Sequence, residues 1–165
     1  MKKLLFFLFL ILNANAFSQT ITADALRRSY QQVNSDSVTC AKLYKKISTS
    51  TDSDNIIIAY RGAITASMAN FSKDKKEKLN LFNSGKKLLE QSIAADSSNI
   101  ETRFLRFTIQ SNCPKALNYN KNIRADKVYI LANYSYLSNL AIKRMISAFA
   151  QQSTSLSETE KKQLK

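Results

Sequence analysis

Leu88-Leu89-Glu90-Gln91-Ser92-Ile93-Ala94-Ala95-Asp96-Ser97-Ser98-Asn99-Ile100-Glu101-Thr102-Arg103-Phe104-Leu105-Arg106-Phe107-Thr108-Ile109 is the stretch whose reading decides the fold. It reads as the end of one amphipathic helix, a tight Asp-Ser-Ser-Asn corner, and the start of another helix. The corner places Asp, Ser and Asn side chains where they can cap free backbone N–H groups. Glu101 adds negative charge to the first turn of the helix that follows. At about 100° per residue, Ile100, Phe104 and Phe107 then form one apolar face, and Leu105 with Ile109 a second, roughly opposite. A surface helix needs one apolar face, so two faces predict a central helix packed on both sides. Between them runs a polar stripe, Asn99, Arg103, Arg106 and Gln110, which the spacing predicts to line an open edge.

Working outward, the chain holds only 2 Gly and 1 Pro in 165 residues. A sheet protein needs turn residues about every ten positions, so this scarcity predicts helices joined by Ser/Asn/Asp corners. The expected fold is all-α, a stack of antiparallel helical hairpins with about seven helices. The first two run over 22–33 and 37–47, the second capped by Ser37, with Val38, Ala41, Leu43, Tyr44 and Ile47 on its apolar side. A third, over 55–71, carries Ile57, Tyr60, Ile64, Met68 and Phe71 inward. Small residues around it, among them Gly62 and Ala66, permit close approach of neighbouring helices. Residues 72–78 read as a charged connection. The fourth helix turns Phe82, Gly85, Leu89, Ser92 and Ile93 to one face and Lys86, Lys87, Glu90 and Gln91 to water.

Pro114 ends the fifth helix, and the turn after it offers Leu117 and Tyr119 as anchors. A sixth helix covers 123–134. Ser138 or Asn139 caps a seventh, with Leu140, Ala141, Met145, Ala148 and Phe149 inward. Ser157-x-x-Glu160 is a capping box before a short Lys-rich helix whose low apolar content predicts fraying.

At the other end, Met1-Lys2-Lys3, an apolar run from Leu4 to Leu12 and Asn13-Ala14-Asn15-Ala16 have the three-part layout of a secretory signal peptide. The run is too short to span a bilayer, so no transmembrane anchor is expected after cleavage. Residues 1–18 are therefore expected to be a signal peptide, and 19–165 a single exported domain, periplasmic or secreted. Loss of Lys2 and Lys3 lowers the formal charge from +13 to +11.

The corner also carries a resemblance. Ser92-Ile93-Ala94-Ala95-Asp96-Ser97-Ser98-Asn99-Ile100-Glu101 resembles the junction between tetratricopeptide repeats, and Gly85, Leu89 and Ser92 fall at the small, large, small positions of a second repeat helix. Ser97 stands where Pro is usual and the chain lacks Trp, so the resemblance implies a divergent tetratricopeptide-like stack. The longer pattern, Glu101-x-Arg103-Phe104-Leu105-Arg106-x-x-x-Gln110-x-x-x-Pro114-x-x-Leu117-x-Tyr119 and on through Ile123, Asp126-Lys127 and Ile130, resembles a family of uncharacterised exported helical proteins of Gram-negative bacteria. That resemblance covers roughly residues 60–165 and brings no activity with it.

The residue types bear on chemistry as well. The chain has no His, which removes the commonest general base and metal ligand. No Gly-rich phosphate loop occurs, and no close carboxylate pair has a spacing that suggests acid/base chemistry. Catalysis and cofactors are accordingly not expected. Cys40 and Cys113 permit a disulfide in an exported chain, or pack separately as small hydrophobes. Aromatics fall at core-phase positions without a stacking platform, so nucleic acid is not an expected partner.

Arg103 and Arg106 are the leading candidates for function. They either pair with Glu101 or Asp126 and fix the hairpins, or hold a carboxylate or acidic peptide along the open edge. Arg61 approaches that groove from the third helix, with Tyr60 beside it. One arginine is expected to be tied and the other free. The expectation is a protein-interaction or scaffold module for an envelope protein or peptide. The alternative is a cationic binder of anionic envelope glycolipid or polymer.

Overall fold

The computed structural model describes residues 21–165. Among these it is all-helical: α1 Ala23–Tyr30, α2 Ser37–Ser48, α3 Asn55–Met68, α4 Lys75–Ala95, α5 Ile100–Ser111, α6 Ile123–Asn133, α7 Leu140–Gln152 and α8 Glu158–Gln163. Short 3-10 turns, Lys115–Leu117 and Tyr134–Tyr136, complete the list. The signal-peptide expectation falls on residues 1–18, outside the described residues. No helix among the described residues is long and apolar enough to cross a membrane.

Side-chain caps start seven of these eight helices. Thr22, Asp36, Asp54, Asp74, Asn99, Asn139 and Ser157 each accept a backbone N–H of the first turn. Such oxygens satisfy donors that the helix leaves free, which is how a chain poor in Gly and Pro can turn sharply. Asn118, at φ 47°, takes the left-handed position where a Gly would be usual. The α2 cap is Asp36 rather than Ser37, because the carboxylate already reaches the Val38 N–H at 2.9 Å. Residues 75–78, read as connection, belong to α4, since Asp74 caps the helix there through the Glu77 N–H at 2.6 Å.

α3 and α5 sit at the centre. α3 packs against α1, α2, α4 and α5, and α5 also against α6 and α7. The closest approach is between α3 and α4. A Cβ on Gly62 would stand 2.8 Å from both Gly85 O and Leu89 N, and one on Gly85 would stand 2.5 Å from Gly62 O. Backbone therefore meets backbone there, and any larger residue must push the helices apart. Ser92 and Asn55 tie the other end of this pair reciprocally: Ser92 Oγ donates to Asn55 O at 2.9 Å and Asn55 Nδ2 to Ser92 O at 3.1 Å.

Both predicted faces of α5 are buried. Phe104 and Phe107 meet Phe149 of α7 edge-to-face at 5.5 and 5.7 Å, and Leu105 and Ile109 are buried too. Val38, Ala41 and Leu140, read as inward, are exposed instead. α2 packs mainly against α3, which leaves its far side to solvent, and Leu140 is the first residue of α7. The α8 box forms as spelled: Ser157 N–H donates to Glu160 at 2.7 Å and Glu160 N–H to Ser157 at 3.3 Å. The expectation that α8 frays is corrected, because Leu156 and Leu164 are buried and Lys127 reaches Glu160 at 2.8 Å. Hydrogen bonds from Lys127 and the Ser157 N–H hold the Glu160 carboxyl below its usual range. Cys40 and Cys113 are free thiols. Cys40 is enclosed in the core, where burial pushes its thiol up to about 11.

Candidate functional site

The polar stripe of α5 lies over α6, which supplies Asp126 to it. Arg106 Nε donates to Asp126 Oδ2 at 2.7 Å and its Nη2 to Oδ1 at 2.9 Å, a two-pronged pairing that suits a planar guanidinium. Arg106 Nη1 reaches Glu90 of α4 at 2.9 Å. Arg103 Nη1 donates to Asp126 Oδ1 at 2.9 Å and its Nε to Ser97 O at 2.6 Å, while its guanidinium lies 4.4 Å from the centre of the Tyr129 ring. Tyr119 closes the group by donating to Glu90 Oε1 at 2.7 Å. Asp126 is 0% exposed and Arg106 4%. Burial lowers the pKa of Arg106, but the hydrogen bonds and charges of Asp126 and Glu90 outweigh it and leave the pKa raised.

On the other side of α5, Glu101 is buried and receives a second fork. Arg27 of α1 donates Nε and Nη2 to its two oxygens at 2.8 and 2.7 Å, and Tyr60 of α3 donates at 2.7 Å. The Glu101 hydrogen bond raises the Arg27 pKa, against the effect of burial. Tyr30 donates to Thr108 at 2.8 Å, since the Thr108 hydroxyl proton is already directed to Leu105 O. Three carboxylates, Glu101, Asp126 and Glu90, thus clamp α1, α3, α4, α5 and α6 together.

This geometry corrects the groove. Asn99, Arg103, Arg106 and Gln110 share a side of α5, but that side is closed by α6 and α4 rather than open. Asn99 caps the helix, Arg106 and Gln110 are buried, and the Gln110 amide finds no hydrogen-bond partner among the described residues. Arg61 does not approach: its Nη1 donates to Ser50 O at 2.6 Å, in the loop before α3. The expected division of the arginines also fails, because Asp126 holds both. Asp126 is the expected ion-pair partner. Glu101 pairs with Arg27 instead of either stripe arginine; Arg27 was not among the expected residues, Glu90 was expected to face water, and Tyr119 was expected only as an anchor of the turn.

Two open clefts lie beyond the C-terminal end of α5, sharing Asn34 and Asn112 as a common wall. The first, about 410 Å³, is lined mainly by apolar side chains from α3, α4, α5 and the Cys113–Leu117 turn. The second, about 610 Å³, lies between the ends of α1, α5 and α7, and all of its lining residues are uncharged. No group of three or more His, Cys, Asp or Glu among the described residues is placed to hold a metal ion.

Burial makes the tyrosines of the network a pH probe. Desolvation raises the phenol pKa of Tyr30, Tyr60 and Tyr119 above the ordinary 10, and the Glu101 and Glu90 carboxylates raise the last two further. Above pH 10 the unfolded chain releases phenol protons that the folded chain keeps, so their stabilisation is complete below pH 10 and is lost as pH rises. One unit above 10, the loss is about 1.4 kcal/mol for each phenol. Thermal melts between pH 9 and 11 should show this fall, with phenolate absorbance from these rings arising only on unfolding. Ionisation of all tyrosines near pH 10 with unchanged melting would contradict it.

Comparison of the chain with protein-family models, with curated proteins and with solved structures finds no match in any of the three.

Proposed function

We propose that this chain is an exported, noncatalytic helical-repeat scaffold whose partner is an acidic protein or peptide of the cell envelope, received on the α6–α7 side. One observation carries the reading. Between Glu101 and Glu158 the only acidic residue is Asp126, and it is wholly buried under the two arginines. The surface of that third of the chain consequently presents Lys115, Lys121, Arg124 and Arg144 with no exposed carboxylate among them. Large apolar side chains stand exposed in the same region, Tyr136 at 84% and Leu140 at 64%, with Val128 on α6. Apolar side chains on a segment with an excess of positive charge suit docking of a partner with the opposite charge. The clamped interior favours a rigid platform, since its arginines are occupied internally.

The test compares the full chain with a Tyr136→Asp/Leu140→Asp variant in pull-downs from envelope extracts. The partner captured by the unaltered chain should fall about tenfold or more in the variant, with the melting temperature unchanged. Equal capture by both would remove the α6–α7 side from consideration.

A second reading, binding to an anionic glycolipid or polymer, is favoured by the same excess of exposed Lys and Arg. Exposed contacts of that kind are screened, so binding should weaken steeply as salt rises. Absence of binding to anionic vesicles at low salt would end this reading.

A further inference from the structure

We propose that the smaller cleft binds a free single-chain carboxylate, a soluble amphiphile with one hydrocarbon tail and one anionic head. Its volume, about 410 Å³, lies within the range of small-molecule sites, roughly 300–1,000 Å³. Ala69, Phe82, Ile109 and Leu117 contribute its apolar walls. Leu79 at the rim is 47% exposed, an apolar side chain left at the cleft mouth. Such walls select hydrocarbon, because burying each methylene there removes apolar surface from water.

The charge at the mouth selects the head group. Lys75 and Lys78 line the cleft, and neither is ion-paired among the described residues. Both stand in the first turn of α4, whose free N–H groups add positive potential. Two carboxylates share that turn, Asp74 and Glu77, but neither lines this cleft; both line a separate one with Lys76. The neighbouring cleft, with no charged residue in its lining, lacks this selection. A single tail fits the cleft's volume, whereas a two-tailed membrane lipid would leave its second chain in water. This assignment does not depend on the α6–α7 partner surface, which lies on other residues.

Calorimetric titration of the full chain with dodecanoate, below its micelle concentration, tests the proposal. One molecule should bind per chain. Lys75→Gln/Lys78→Gln should weaken binding about fivefold, the size of two partly screened ion pairs. Dodecanol should bind more weakly than dodecanoate and be unaffected by the lysine changes. Ala116→Trp, on the exposed lip of the cleft, should block both ligands while leaving the melting temperature unchanged. No dodecanoate binding, or binding that Ala116→Trp leaves intact, would overturn the site. Equal affinity for dodecanol would overturn the anionic head. Binding only to phosphatidylglycerol vesicles, without free dodecanoate, would overturn the soluble ligand in favour of a membrane surface.

Discussion

Asp126→Ala is expected to destabilise the chain by about 3–5 kcal/mol, because it removes one partner of a buried charge cluster and leaves the others in place. Three hydrogen bonds from two guanidinium groups end on this carboxylate, within 2.7–2.9 Å. Without it, Arg106 keeps only Glu90 and must hold most of its charge in a nearly dry site. Asp126→Asn separates charge from shape. It preserves the side-chain outline but replaces one acceptor oxygen by an NH2 that faces a guanidinium donor, so a substantial part of the loss should remain. The arginines should differ in degree. Arg106→Gln should cost more than Arg103→Gln, since Arg103 is partly exposed and gives Asp126 one hydrogen bond against two from the buried Arg106. Urea unfolding of the four variants measures this order. A loss below about 1 kcal/mol for Asp126→Ala would mean that the cluster is solvated, and that the clamp is not what closes the α5 stripe.

What was legible in the sequence follows from the range over which each signal acts. Caps and faces are local: Asn99 announces α5, Ser157 and Glu160 announce α8, and the two-sided apolar pattern of α5 marks it as central. Each requires knowledge of only a few neighbouring residues. The open edge failed because a helical wheel shows which residues share a side, but not what covers that side. Asp126 could be named as a partner for Arg103 and Arg106, 23 and 20 positions away, but nothing local to α5 says that α6 and Glu90 of α4 close over that side. Glu90 follows buried Leu89 and sits at the margin of the apolar face, which is where a long carboxylate can turn inward. Arg27 gave a similar sign, between Leu26 and Tyr30 on the inward side of α1. A charge flanking an apolar face on one helix, matched by an opposite charge on another, is the pattern that could have indicated both pairings. The clefts left no such trace, since they arise where the ends of several helices fail to meet.

Phe104→Ala is expected to cost about 3–5 kcal/mol, the range for removing a buried aromatic ring from a core. The ring is 1% exposed and packs edge-to-face on Phe149 at 5.5 Å. Its loss removes apolar burial, leaves a void, and gives up an aromatic pair worth about 0.5–1.5 kcal/mol in addition. The surroundings offer little collapse on one side, because α5 is fixed between α3 and α6 by the Glu101 and Asp126 clamps. On the other side the ring borders the uncharged 610 Å³ cleft, so water can enter part of the space left behind. That places the expected value in the lower half of the range rather than above it. Phe104→Leu refills most of the volume and should cost about 1 kcal/mol, mainly the aromatic contact. Leu105→Ala provides the comparison from the opposite face of α5, where the side chain is 0% exposed and borders neither open cleft. It should cost about 2–5 kcal/mol. Denaturant unfolding of the three variants reads both faces of α5 in one experiment. Comparable losses for Phe104→Ala and Leu105→Ala are the result expected of a helix buried on two sides, whereas a loss below about 1 kcal/mol at either position would make it a helix with one working face.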